Sequence, residues 1–367
     1  MRIAIDARFM GTATGIGRYV SELIFNLENI DYNNQYFILI NKENENKYIS
    51  NNPSFTKVVV DIPWYGIREQ IEIPKVLNKI KPDLVHFPHF NVPIFSKFPF
   101  IVTIHDLILT RYPSIRATTL SPIKYFLKNL LYRIIISHAV KRSKAIIAVS
   151  EFTKLDIVKF FKIKGDKVFV TYEGVSRALV NSNENNNILE NLNTKKDFLL
   201  YVGNAYPHKN LEFLISAFNK FKNFENYELV LVGKEDYFYK RLKNFVIQNN
   251  FKNIIFTGFV DDENLSVLYK RCSVYVFPSL CEGFGLPPLE AMTNGAVVLS
   301  SNYSCLPEIL KDCAIYFNPK DESDFNDKLS QILGNNDLKQ DLRAKSQELL
   351  KNYSWEKMAE QTLEIYN

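Results

Sequence analysis

The residues best suited to chemistry lie in the stretch Cys281-Glu282-Gly283-Phe284-Gly285-Leu286-Pro287-Pro288-Leu289-Glu290. Two glutamates stand eight positions apart across a Gly-x-Gly bend and a Pro-Pro pair, shortly after the apolar run "VYVF". Gly283 and Gly285 permit a tight turn, and Pro287 and Pro288 suit the first turn of a helix, so a helix is predicted to begin near Leu286. Its first backbone N–H groups have no intrahelical acceptors and are natural donors to a phosphate or a sugar hydroxyl. Glu282 before the turn could face the reacting part of an extended ligand such as a nucleotide sugar, while Glu290 inside the helix holds hydroxyls further along it. Taken alone, the same pair also reads as a loop carboxylate near a helix dipole and a solvated helix residue.

Three further junctions carry chemical groups. After "FLLYVG", the loop Asn204 to Asn210 brings Lys209 to a second strand-to-helix junction, where an ammonium can neutralise a diphosphate. The run "RIAID" leads into "ARFMGTATGIGRY", whose Gly11, Gly15 and Gly17 make a flexible loop before a helix. It lacks the full Gly-x-Gly-x-x-Gly spacing and a Walker lysine, so as a phosphate loop it is a weak signal. "FIVTI" ends in His105-Asp106, a histidine able to orient a substrate and equally suited to a structural hydrogen bond.

These groups need a scaffold that gathers strand ends. The chain has 367 residues, 46% of them hydrophobic, which is larger than one core usually supports, so two domains are expected. Short apolar runs alternate with helical segments: "RIAID", "YFILI", "KVVV", "LVHF", "FIVTI", "AIIAV" and "VFVT", then "FLLYV", "ELVLV", "IIFT", "VYVF", "AVVL" and "AIYF". Helices are predicted at Gly17 to Asn29, Glu151 to Phe161, Leu211 to Lys222 and Glu263 to Lys270. The class is therefore α/β, with two mainly parallel sheets. The Asn-rich stretch 181–196 reads as a linker between an N-terminal domain, 1–180, and a C-terminal domain, 197–352, and the last helix, 353–367, is expected to pack back on the first domain. Two doubly wound domains would face a cleft, with ligands bound beyond the carboxyl ends of the strands.

Composition narrows the class. No apolar run approaches the ~18 residues that span a bilayer, and Asp6 interrupts the only early apolar stretch, so a cytoplasmic protein is expected. Cys272, Cys281, Cys305 and Cys313 form no Cys-x-x-Cys pair and have no His cluster beside them, which points to neither zinc nor disulfides. The net charge of +5 is too mild to imply a nucleic-acid partner, but it is unevenly placed. Leu107 to Ser150 contains no Asp or Glu and eight basic residues: Arg111, Arg116, Lys124, Lys128, Arg133, Lys141, Arg142 and Lys144. Within it Ile123, Phe126, Leu127, Leu130, Leu131, Ile134 and Ile135 recur at helical spacing. Such a stripe suits an anionic membrane surface, and equally a helix that turns its stripe to the core and its lysines to water.

In order and spacing, "GTATGIGRY", "TIHDL", "AVSEFTK", "YEGV", "YVGNAYPHKN", "GFVDDENL" and the Glu-x7-Glu segment "EGFGLPPLE" resemble the retaining glycosyltransferases of the GT-B fold, the glycogen-synthase-like and bacterial mannosyltransferase-like group, over nearly the whole chain. The resemblance implies two Rossmann-like domains, an N-terminal one for the acceptor and a C-terminal one for the nucleotide sugar. It implies that Glu290 holds the ribose, Glu282 contacts the transferred sugar and Lys209 binds the diphosphate; the chemistry of the transfer would then have His105 orient the sugar together with Glu282. The donor-binding set would be Gly15, Gly17, Lys209, Gly283, Phe284, Gly285, Leu286 and Glu290. The family's arginine before the lysine is missing here; Asn204 and His208 stand in that loop, and His208 is expected to supply part of the compensating charge. Asp261-Asp262 falls where the family begins a helix, so Asp262 reads as a helix-start residue and neither a metal nor another cofactor is expected.

The resemblance thus implies hexosyl transfer with retention, mannose from GDP-mannose being the first guess, to a glycan or lipid-linked acceptor in surface polysaccharide synthesis. Front-face substitution, in which the leaving phosphate helps deprotonate the acceptor, is implied over a double displacement. The acceptor could place the enzyme peripherally on the inner face of a membrane. A nucleotide-sugar isomerase or epimerase on the same fold, which would convert donor without acceptor, and a donor-binding protein without turnover are the alternatives.

Overall fold

A computed structural model describes residues 1–12, 14–114, 116, 118, 121–175, 188–189 and 196–367. All of the predicted linker 181–196 except Ile188, Leu189 and Lys196 lies outside the described residues. The chain divides into two compact units: Met1–Arg111, Leu120–Gly174 and Ser354–Asn367 form one, Tyr112–Thr119 and Val175–Tyr353 the other. The short stretch from Tyr112, expected within the first domain, thus groups with the second, and the first unit's main run ends at Gly174.

The first unit is built on seven strands: β1 (Arg2–Asp6), β2 (Gln35–Asn41), β3 (Phe55–Val60), β4 (Leu84–Phe87), β5 (Phe100–Ile104), β6 (Ile146–Ala148) and β7 (Val168–Val170). They lie in the order β3-β2-β1-β4-β5-β6-β7, every neighbouring pair parallel. Central strands covered on both faces are buried along their whole length, as β4 and β5 are, and the polar His86 and Thr103 within them are hydrogen-bonded to each other. Helix α1 (Gly15–Ile30) starts at Thr14, whose side chain accepts from the Gly17 N–H, and buries Tyr19, Val20, Leu23, Ile24 and Leu27 on one face. Helix α2 (Ile67–Ile80) follows β3.

Helix α3 (Pro122–Arg142) buries Tyr132, Ile136, Ala139 and Val140. The stripe predicted for it does something else: Ile123, Phe126, Leu127, Leu130, Leu131 and Ile134 are between 47% and 76% exposed. The core-facing alternative therefore fails for these six side chains, because the helix has two apolar faces and the core takes the other one.

Helix α4 (Glu151–Phe161) connects β6 to β7. The last helix, Trp355–Tyr366, is capped by Ser354 and belongs to the first unit. Trp355 meets the Tyr19 ring edge-on, and the Tyr366 hydroxyl lies 2.7 Å from His86 Nδ1, whose Nε2 faces Thr103 Oγ1 at 2.8 Å. Burial pushes the His86 imidazole down to about 3, so the ring is neutral and joins the sheet to the C-terminal helix.

The second unit has six strands: β8 (Asp197–Val202), β9 (Tyr227–Val232), β10 (Ile254–Gly258), β11 (Val274–Phe277), β12 (Val298–Ser301) and β13 (Ala314–Phe317). Their order is β10-β9-β8-β11-β12-β13, again parallel throughout. The helix predicted at Leu211 runs to Asn219, three residues short of expectation. The helix Asp262–Arg271 is capped by Asp261, whose carboxylate accepts from the Asn264 N–H, so the helix-start residue is Asp261 and Asp262 is the first helical position. In both sheets the winding direction reverses beside the first strand, between β1 and β4 and between β8 and β11. Loops after such a strand pair part to opposite sides and leave a crevice at the carboxyl ends.

Candidate functional site

In the second unit Lys209 follows β8 and Glu282 follows β11, the two strands that flank the reversal. Their side chains meet, Lys209 Nζ lying 2.7 Å from Glu282 Oε1, with 13% and 10% of the side chains exposed. Lys209 ends a single 3-10 turn, Pro207–Lys209, and its ammonium also sits 5.4 Å from the centre of the Phe277 ring at the end of β11. Asn210 adopts φ +62°, a left-handed conformation that asparagine tolerates, and its side-chain amide donates to the carbonyls of Pro278 (3.3 Å) and Pro319 (2.8 Å). It fastens the lysine loop to the loops that follow β11 and β13.

The glutamate loop is held as firmly. The Glu282 N–H donates to Ser304 Oγ at 3.1 Å, and the Cys305 thiol faces the carbonyls of Glu282 and Phe284. Gly285 has φ +97°, a left-handed conformation that favours glycine, and a Cβ there would also press on the Leu306 side chain at 3.0 Å. The helix Leu286–Thr293 begins there as predicted, with no side-chain cap and no acidic residue in its first turn. Pro287 and Pro288 have no N–H, so its donors are fewer than a generic helix start offers. Glu290 lies inside this helix and is buried, not solvated. Gly283, Phe284, Gly285 and Leu286 therefore stand together with Lys209, Glu282 and Glu290 in one unit.

His208 departs from expectation. Burial, and secondarily the neighbouring Lys209 charge, push its imidazole down to about 4, so near neutrality it offers a hydrogen bond and no positive charge. Among the described residues no three His, Cys, Asp or Glu side chains gather as a metal cage would. All four cysteines are free and buried.

The remaining predicted residues lie in the first unit. His105 follows β5 with its Nδ1 3.1 Å from Glu173 Oε1 and its Nε2 3.0 Å from the Pro88 carbonyl, and the Tyr19 ring packs edge-on against it. Both partners are acceptors, so the two contacts are hydrogen bonds together only when the ring carries both protons. Glu173, in the "YEGV" motif, is a partner to which sequence reasoning assigned no role. In the same motif Gly174 lets the chain pass Trp355, whose backbone nitrogen would be 2.2 Å from any Cβ.

Gly15 and Gly17 are not in a flexible loop but in the first turn of α1. The Gly17 N–H is already taken by Thr14, and a Cβ on Gly17 would strike Thr12 and Phe9, so its requirement for glycine is steric. The loop's left-handed glycine is Gly11, at φ +78°.

The chain thus has two parallel sheets, and one unit carries Lys209 and Glu282 after adjacent strands with Glu290 inside the helix that follows. Residues 182–349 match the family model "Glycosyl transferases group 1" and residues 13–179 match "Glycosyltransferase Family 4". The chain belongs to the GT-B glycosyltransferases. The O-antigen chain mannosyltransferase RfbU of Salmonella typhimurium is 28% identical over 287 residues, 77% of this chain and 74% of that relative. Among solved structures, a sucrose-phosphate synthase from Thermosynechococcus elongatus aligns with TM-score 0.79 at 19% identity, over 100% of this chain and 98% of that one. Anabaena HepE in complex with UDP-glucose aligns with TM-score 0.74 at 15% identity, over 100% and 99%.

Proposed function

We propose that this enzyme transfers a hexose, mannose first among the candidates, from a nucleotide-diphosphate donor to a hydroxyl of a glycan or lipid-linked acceptor, with retention at the anomeric carbon, in surface polysaccharide synthesis. The observation that carries the reading is the Lys209–Glu282 pair at the reversal point of the second sheet, beside an uncapped helix start and with Glu290 eight residues along. An ammonium has three N–H donors and one carboxylate occupies one, so Lys209 can take a diphosphate oxygen without leaving Glu282. As the bond from the anomeric carbon to the phosphate oxygen breaks, charge grows on the diphosphate, where Lys209 and the helix start stabilise it. Glu282 lies close enough to Lys209 to face the sugar carbon that turns cationic, and Glu290 holds the ribose.

In this reading the acceptor oxygen bonds to the anomeric carbon on the side the leaving group departs from, and the acceptor proton passes to the departing phosphate oxygen. His105 orients the transferred sugar, which asks Nε2 to exchange the Pro88 carbonyl for a sugar hydroxyl. The mannosyl assignment draws on the RfbU likeness, and HepE bound to UDP-glucose keeps uridine donors in the panel.

The test is to incubate the protein with GDP- and UDP-sugars, with and without acceptor and with EDTA present, and to follow nucleoside diphosphate release and the anomeric NMR signal of the product. Acceptor-dependent release with a retained anomer, undiminished by EDTA, is expected. Donor conversion without acceptor would mean an isomerase, binding without release a donor-binding protein, and loss of activity that magnesium restores a metal-assisted diphosphate.

A further inference from the structure

The exposed face of α3 does not belong to the site just described. Ile123, Leu127, Leu130 and Ile134 follow one another at spacings of four, three and four, which sets them in one line along a helix, and Phe126 and Leu131 flank that line. All six are large and apolar, and none is less than 47% exposed. The opposite face, Tyr132, Ile136, Ala139 and Val140, is buried in the core of the unit, so rotation of the helix would not rescue the stripe.

Charge then selects the occupant. Lys124, Lys128 and Arg133 are exposed beside the stripe, and the sequence from Leu107 to Ser150 has no carboxylate to pair with them. A second copy docking through this face would press like charges together and desolvate them unpaired. A surface that supplies hydrocarbon in the middle and anions at the edges satisfies both features at once: the apolar side chains enter the acyl region while the long basic side chains reach lipid phosphates. Among the described residues no helix is long and apolar enough to cross a bilayer, so the contact would be in the interfacial plane.

We propose that the outward face of α3 docks this enzyme on an anionic lipid surface, through Ile123, Phe126, Leu127, Leu130, Leu131 and Ile134, with Lys124, Lys128 and Arg133 engaging phosphate headgroups. The inference stands independently of which sugar is transferred.

Sedimentation of the full chain with vesicles tests it. The protein is expected to pellet with mixed phosphatidylcholine and phosphatidylglycerol vesicles at low salt, far less with pure phosphatidylcholine, and less again as salt shortens the Debye length. Lys124→Glu combined with Lys128→Glu and Arg133→Glu is expected to weaken the partition on the order of 100-fold, each cation being worth roughly five-fold. Phe126→Ser with Leu130→Ser and Ile134→Ser should also release the protein, with the melting temperature kept because the side chains are exposed. Wild-type protein that stays in the supernatant, or that binds neutral and anionic vesicles alike, overturns the proposal without any variant. So does a concentration-dependent dimer that the Phe126→Ser set abolishes, which would make the face a self-association surface.

Discussion

The two units put a cation at the same topological point and treat it in opposite ways. Arg8 follows β1 beside β4, as Lys209 follows β8 beside β11. The Arg8 guanidinium is fully buried and makes four hydrogen bonds: Nε and Nη2 to Asp6 at 2.7 and 2.6 Å, Nη1 to the Ile62 carbonyl at 3.2 Å, and Nη2 to Glu69. Glu69 also accepts from Asn91 and the Tyr65 N–H, yet burial outweighs its partners and holds its carboxyl above the usual range. Lys209 has a single carboxylate partner and retains some exposure. A planar fork with nearly every donor committed fixes a loop; a compact ammonium with donors to spare can answer an incoming anion. Both places follow a strand beside the point where the winding reverses, and they differ in how completely the cation's donors are committed to the protein.

The comparison breaks most visibly at Arg8. Arg8→Met leaves two carboxylates buried without their cation and is expected to cost about 3–5 kcal/mol, read from urea unfolding of the full chain. Adding Glu69→Gln should recover part of it, since one buried charge is then removed. An Arg8→Met protein as stable as wild type would mean the cluster is not the lock described.

Lys209→Met should invert the pattern. Its stability is expected to fall by no more than about 2 kcal/mol, within the common range for single substitutions, while turnover drops at least ~100-fold as for loss of a preorganised oxyanion donor. Among the glutamates, Glu282→Gln should chiefly lower kcat. Glu290→Gln should chiefly raise the donor KM, because a ribose contact is equally strong in ground and transition states. A reversed split would exchange the two roles.

Acid gives the smallest and most graded contrast. Burial pushes His86 and His89 down to about 3 and His208 down to about 4. Each folded value lies below the unfolded one near 6.5, so as pH falls from 6.5 the unfolded chain takes the proton first. Stability present above 6.5 is then lost at about 1.4 kcal/mol per pH unit for each histidine, until the folded value is reached. Glu69, with its raised carboxyl, acts in the opposite sense and offsets part of this in the first unit. Two of these three histidines are in the first unit, so hydrogen exchange at pH 5 should find that unit opening more readily than at pH 7, the second unit changing less. His86→Gln should flatten the pH dependence; equal loss in both units would contradict the assignment.

Much of this architecture was open to reading from one dimension. Strands of a parallel sheet covered on both faces read as short, mostly apolar runs, and all thirteen such runs overlap strands, including the partly exposed β3 and β10. Strand-to-helix junctions need glycine and proline, so the segment Glu282 to Glu290 declared its turn and its helix. What stayed hidden were partners brought together from far apart in sequence: Glu173 against His105 at 68 residues' separation, Lys209 against Glu282 at 73, Asn210 against Pro319 at 109, Arg8 against Glu69 at 61. No periodicity announces such meetings, because each depends on how loops leave different strands.

Helix α3 shows where the division falls. Its composition and spacing determined by themselves that an apolar stripe bordered by cations exists. Which of two apolar faces the core would accept was settled by the sheet beneath it, where Tyr132, Ile136, Ala139 and Val140 fit and the larger exposed stripe was left to find its partner elsewhere. A helix carries a pattern in its own sequence, but burial is a property of the surface it meets, and that surface exists only once remote strands have assembled.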